Sequence, residues 1–315
     1  MKRAAWLLAL ALFSAPATAS EVAVSATPIE HFGTVTNEIR FGQLEYLGGM
    51  TLSGLHSISA IRFLPDNRSF IAVADDGYWI DGSITRDANR RLSGLTDVDV
   101  TAMKNAKGVH AGKSGMDAES LTIAGNRLLV GFEGKHRIDS YPLKGHDTAT
   151  AKPGPDFLIP IYELRRNGSF EALATNADGR TVVIAEQSID TDGNLFAAIV
   201  EGRGKGIFKV VKRQGFDVTD AAYLPDGNLL ILERRFSLLA GVAMRIRLID
   251  GDAIRAGAVV DGPVIMQANG GQHHIDNMEG MALLPMADGS LHLILVSDDN
   301  ASPLQDTIML EFKLL

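Results

Sequence analysis

The sequence predicts an all-β chain, a β-propeller of four-stranded blades. Three observations predict it: short β-rich runs between Gly, Asp and Asn turns, no long amphipathic-helix pattern, and a hairpin that recurs at near-regular spacing. The clearest hairpins run from Glu119-Ser-Leu-Thr-Ile123 through Gly125-Asn126 to Leu128–Glu133, and from Glu171-Ala-Leu-Ala-Thr175 through Asp178-Gly179 to Thr181–Glu186. A third runs from Asp220 through Asp226-Gly227 to Glu233, and a fourth from Glu279 through Asp288-Gly289 to Asp298. A less typical first copy begins at Ser59, turns at Asp66-Asn67 and ends at Asp75. The starts at 59, 119, 171, 220 and 279 are 60, 52, 49 and 59 residues apart. Each interval has room for two further strands, such as Leu195–Val200 and Ile207–Lys212, which is the content of a propeller blade. Five inner hairpins are visible, and a sixth, degenerate blade is the alternative. The last unit shows three strands, ending at Thr307–Phe312, so Phe41–Leu47 is expected to supply the fourth and close the ring.

Residues 1–19 are expected to be a secretory signal. Lys2 and Arg3 precede an apolar run from Ala4 to Phe13, and Ala17-Thr18-Ala19 offers a small-residue cleavage pattern. The mature chain, from Ser20, is read as one domain over residues 20–315, periplasmic or secreted. Ten apolar residues fall short of the roughly 20 needed to span a bilayer, so no membrane insertion is expected after signal removal. The chain has no cysteine, so an exported protein of this kind must rest on its core, with bound metal as a further source of order. Without Lys2 and Arg3 there are 28 basic and 38 acidic residues, a net charge of −10. That balance argues against nucleic-acid binding and is compatible with cations. A closed propeller has little free edge, and a monomer acting on a small molecule is expected.

The chemistry lies at the hairpin ends. Antiparallel pairing puts the start of one strand beside the end of its partner, and a propeller gathers all these ends around one axis. Of the ten positions so defined, nine are acidic: Asp75, Glu119, Glu133, Glu171, Glu186, Asp220, Glu233, Glu279 and Asp298. With 38 acids among 315 residues, chance would supply about one. So many like charges in a confined mouth repel and raise one another's pKa, and a hard cation relieves them. Oxygen donors suit calcium, with Asp76, Asp117, Asn277, Asp299 and Asn300 as neighbouring donors. The competing reading for any single acid is a turn cap or a structural ion pair.

The runs Met116-Asp-Ala-Glu119-Ser-Leu121, Asn167-Gly-Ser-Phe-Glu171-Ala-Leu173, Ile231-Leu-Glu-Arg-Arg-Phe236, Asn277-Met-Glu-Gly-Met281 and Val296-Ser-Asp-Asp-Asn300 carry a resemblance. In their order they resemble the phytase-like propeller family, described by "esterase-like activity of phytase". The resemblance implies a calcium-dependent propeller acting on phosphate esters, with the acids of these runs as axial carboxylates and Glu233-Arg234 as an acid–arginine pair. Glu119, Glu171, Asp220, Glu279 and Asp298 are then the metal ligands. Asp75 or Glu186 would handle the proton, and Arg234 would stabilise developing charge. The sequence departs from the pattern at Ser59, where an acid is expected. Few basic groups follow the ring acids, namely Arg234, Arg235, Lys135 and His136, which favours a small phosphate ester over a polyphosphate. A propeller lactonase or carboxyl esterase, and a non-enzymatic binding protein stabilised by calcium, are the alternatives.

Other motifs carry less. Gly108–Ser114 is one residue short of a phosphate loop and precedes a strand, not a helix. Gly202–Gly206 reads as a hairpin turn, Asp190–Asn194 lacks EF-hand spacing, and no Gly-x-Ser-x-Gly occurs. His274, just before Glu279, is a candidate for proton transfer, with His56 and His110 behind it; adjacent His273 and His274 on a strand would face opposite ways.

Overall fold

A computed structural model describes residues 20–315 except 36, 238, 240, 301, 303 and 304. The expected signal segment, residues 1–19, lies outside the described residues. The described residues form five sheets, one per blade. The inner strands are Ile58–Phe63, Ala118–Ala124, Ala172–Thr175, Asp217–Tyr223 and Asn277–Pro285, and each packs on the next until the fifth meets the first. Two 3-10 turns, Ile161–Glu163 and Gly251–Ala253, are the helical elements of the described chain.

Strand sequences follow from this packing. Blade sheets are covered on both faces by neighbouring blades, so their middle strands need apolar residues at successive positions. Leu128–Phe132, Thr181–Glu186 and Leu229–Glu233 are accordingly buried throughout. Five apolar clusters fill the five junctions between blades. One holds Ile71, Trp79, Leu121 and Phe132 between blades one and two. Another holds Leu232, Met244, Met281 and Leu295 between blades four and five.

The ring closes as the repeat count requires. Leu44–Ser53 pairs antiparallel with Thr307–Leu314, and Ser25–Ile29 adds the outermost strand of the fifth blade. The closing strand thus lies slightly later than the expected Phe41–Leu47, because Arg40–Phe41 folds back on Leu44–Glu45 as a short hairpin. The N-terminal segment also gives Ser20–Glu21 to the first blade. No helix among the described residues is long and apolar enough to cross a membrane.

Candidate metal-binding mouth

The acids converge through a feature that repeats around the axis. In four blades the inner strand carries a β-bulge near its start, leaving Ser59, Glu119, Thr219 or Glu279 without a cross-strand partner. In the third blade, pairing starts at Ala172, immediately after Glu171. A bulge adds one residue to one strand and re-aims its side chain. The local pattern is polar, apolar, polar: Ser57-Ile-Ser59, Asp117-Ala-Glu119, Ser169-Phe-Glu171, Asp217-Val-Thr219 and Asn277-Met-Glu279. Each central residue (Ile58, Ala118, Phe170, Val218, Met278) is buried, and the flanking polar residues turn to the mouth. Opposite them stand Asp75, Glu133, Glu186, Arg234 and Asp298, joined to Ser57, Asp117, Ser169, Asp217 and Asn277.

This register corrects the sequence reading of the fourth blade by one residue on both strands. Its mouth positions are Thr219 and Arg234, not Asp220 and Glu233. Seven of the ten positions are therefore acidic: Asp75, Glu119, Glu133, Glu171, Glu186, Glu279 and Asp298. A one-residue shift sends a side chain to the other face of a sheet, and both displaced acids have other partners. Asp220, wholly buried, takes two 2.7 Å hydrogen bonds from the Arg62 guanidinium and others from the backbone N–H groups of Met281 and Ala221. Those donors engage both its oxygens, so the structure gives Asp220 an ion pair with Arg62 in place of the expected ligand position. Glu233, equally buried, accepts from Arg245 at 2.6 Å and from Arg247 at 2.7 and 2.8 Å within its own blade.

Arg234 takes the place left for it. Its Nη2 lies 3.1 Å from Glu186 Oε1 and its Nε lies 3.0 Å from Glu279 Oε1, so it bridges acids of the blades on either side. The expected Glu233–Arg234 pairing gives way to this arrangement, because neighbours along a strand point to opposite faces. Lys113, on the loop between blades one and two, is paired with Asp75 and stands 3.3 Å from Asp117 Oδ1. Lys212 is paired with Asp217. His56 Nδ1 lies 2.5 Å from Asp299 Oδ2 at the rim, and His136 contacts Ser169 Oγ at 2.9 Å. His110 packs against Tyr78 with the two rings tilted at 57°. His274 is exposed, and its backbone N–H bonds Phe32; its ring makes no hydrogen bond or ion pair to the mouth acids among the described residues.

Even with these cations, negative charge dominates. Oxygens of Asp117, Glu119 and Glu133 lie within 4.8 Å of one another. Burial, then the charges of Asp117, Glu133 and Glu279, push Glu119 well above the ordinary carboxylate range. Burial and the neighbouring Glu119 and Glu186 do the same to Glu171. Burial lifts Glu186 to about 7 although Arg234 opposes it, and lifts Glu279 to about 8 against the same arginine. Asp298 rises to about 6 through burial, with Asp75 and Asp299 adding to it.

Satisfaction of polar atoms points the same way. Asn277 donates to Glu279 Oε1 at 2.7 Å, but Glu279 Oε2 is buried with no hydrogen-bond partner among the described residues. An unpaired buried carboxylate oxygen is costly, and a cation supplies what donors do not. The clustered donors at Asp117, Glu119 and Glu133 are carboxylate oxygens, and the chain has no cysteine. That chemistry fits a hard ion such as calcium better than zinc or copper.

Fold and mouth together define a five-bladed propeller with a carboxylate-lined axial opening. A model of the phytase-like family, described as "Esterase-like activity of phytase", matches residues 53–301, and the chain belongs to that family. No curated protein matches the chain. Among solved structures it is similar to a putative oxidoreductase (glucose dehydrogenase) of Thermus thermophilus, at 13% identity, covering 82% of this chain and 97% of that one, with a TM-score of 0.38. It is also similar to the PQQ-bound aldose sugar dehydrogenase of Streptomyces coelicolor, at 12% identity, covering 92% and 98%, with a TM-score of 0.42.

Proposed function

We propose that the protein is a calcium-dependent ester hydrolase of the phytase-like type, acting on a small phosphate ester. The observation that carries this reading is the mouth: seven carboxylates from four blades, too few donors to satisfy them, and an orphaned oxygen on Glu279. Asp117, Glu119 and Glu133, whose oxygens lie within 4.8 Å of one another, would hold the cation, with Glu171, Glu279 and Asp298 beside them. A divalent ion bound there supplies charge neutralisation at phosphoryl oxygens and a more acidic water.

The chain's own groups account for the rest. Glu186, lifted to about 7, is poised to accept and return a proton near neutrality. Arg234, held by Glu186 and Glu279, sets a guanidinium at the centre of the rim to orient an anionic oxygen. Asp75 is paired with Lys113, whereas burial lifts Glu186 to about 7 despite Arg234, which makes Glu186 the better candidate for proton transfer. With Arg234 and Lys113 both committed to acids, little basic surface is left for a polyphosphate. A small ester fits better, and a lactone or carboxyl ester is the second reading on the same ground.

The test pairs metal with substrate. Wild type and Glu119→Gln/Glu279→Gln are melted in chelator and in calcium, then assayed on aryl phosphate, lactone and carboxyl-ester substrates. The expected result is a calcium-raised melting temperature and calcium-dependent phosphate-ester cleavage in wild type, both lost in the double variant. Hydrolysis of the lactone or carboxyl ester alone would move the assignment to the second reading. Absence of any calcium response in wild type would overturn the metal-assisted reading.

A further inference from the structure

Lys113 has an unusual place among the mouth's cations. It rides a tight turn in which the Gly115 and Met116 N–H groups both donate to Gly112 O, at 3.0 and 2.9 Å. Gly112 adopts φ +61° with open space about it, and Met116, wholly buried, anchors the far side of the turn. The backbone is thus tied down while the Lys113 side chain, paired with Asp75, stays 56% exposed. Arg234 is the contrast: it rises from within the strand Leu229–Ser237, 28% exposed, wedged between two glutamates.

Lys113 reaches from this turn to Asp75 and Asp117, the latter belonging to the Asp117, Glu119, Glu133 cluster. One ammonium offsets a single charge of that cluster. A divalent ion offsets two, and at a few ångströms it repels the ammonium. The two charges therefore compete for Asp117.

We infer that Lys113 is a tethered counterion that competes with the bound cation for Asp117 and swings out of the mouth when a divalent ion is loaded. This inference rests on the proposed metal-binding reading of the mouth and adds a control of its affinity. Lys113 keeps the empty mouth from springing apart, and it sets a threshold of free cation below which the site stays closed to metal. By linkage, whatever draws Lys113 away from Asp117, such as an anion at the rim, tightens cation binding.

The test is calorimetric titration of calcium into the mature protein, with melting in chelator as a second readout, for wild type, Lys113→Met and Lys113→Gln. The expected result is a crossed effect: each neutral variant melts lower than wild type in chelator yet binds calcium about threefold to tenfold tighter, as befits a half-exposed ion pair. Equal or weaker calcium binding in both variants would overturn the inference and leave the metal site standing. Calcium binding by none of the three proteins would overturn the metal reading and this inference with it.

Discussion

Single carboxyl groups at the mouth are placed where their ionisation opposes folding. Glu186, Glu279 and Asp298 titrate near 7, 8 and 6 in the fold, against 4.5, 4.5 and 3.8 without it. Between those values the folded chain holds more protons than the unfolded chain, so stability falls as pH rises. In chelator, the melting temperature is expected to be higher near pH 5 than near pH 8. Saturating calcium binds the deprotonated forms and should remove or reverse that decline. Differential scanning fluorimetry across this range checks the point, and a flat or rising profile in chelator would contradict the crowding of charge described above.

At the scale of elements, the one-residue register of the fourth blade separates two kinds of acid. Glu233 neutralises Arg245 and Arg247, both buried, and Asp220 neutralises Arg62. Removing one partner of a buried pair leaves the other charge uncompensated, at about 3–5 kcal/mol. Glu233→Gln and Asp220→Asn are therefore expected to lose stability on that order in urea while keeping the calcium-induced rise in melting temperature. Glu119→Gln/Glu279→Gln should show the opposite pattern. If Glu233→Gln abolished the calcium response at little cost in stability, the acids would follow the register read from sequence and not the one in the structure.

The whole molecule is held around its axis and at one seam. The Arg62 guanidinium donates to Ile61, Leu173, Ala221 and Met281 carbonyls as well as to Asp220, so one side chain ties four blades together. Below it a cavity of about 190 Å³ is lined by Arg62, Thr122, Ala174, Ala222 and Ala282, equivalent positions of all five inner strands. The seam is the pairing of Leu44–Ser53 with Thr307–Leu314, where Met50 faces Met309 and both are buried. Met50→Ala should cost about 2–5 kcal/mol, measured by denaturant unfolding, because the cavity opens at the joint that closes the ring. A loss under about 0.5 kcal/mol would mean that the ring does not depend on this joint.

The propeller, its five inner hairpins and the convergence of acids on one mouth were legible in the chain, because strand alternation and turn residues are local signals that recur with the repeat. The N-terminal closing strand was legible from counting strands in the last unit. What the chain alone did not decide was register: Asp220 and Glu233 match the acidic pattern as well as Thr219 and Arg234 depart from it. The polar-apolar-polar start shared by Ser57–Ser59, Asp117–Glu119, Ser169–Glu171, Asp217–Thr219 and Asn277–Glu279 was the signal that would have set it. Tertiary structure decided which acids meet donors and which meet only each other, since Arg62, Arg234 and Lys113 reach acids 158, 48 and 38 residues away in the chain. Charge is written in the sequence, but its neutralisation depends on distance in space, which only the closed ring of blades defines.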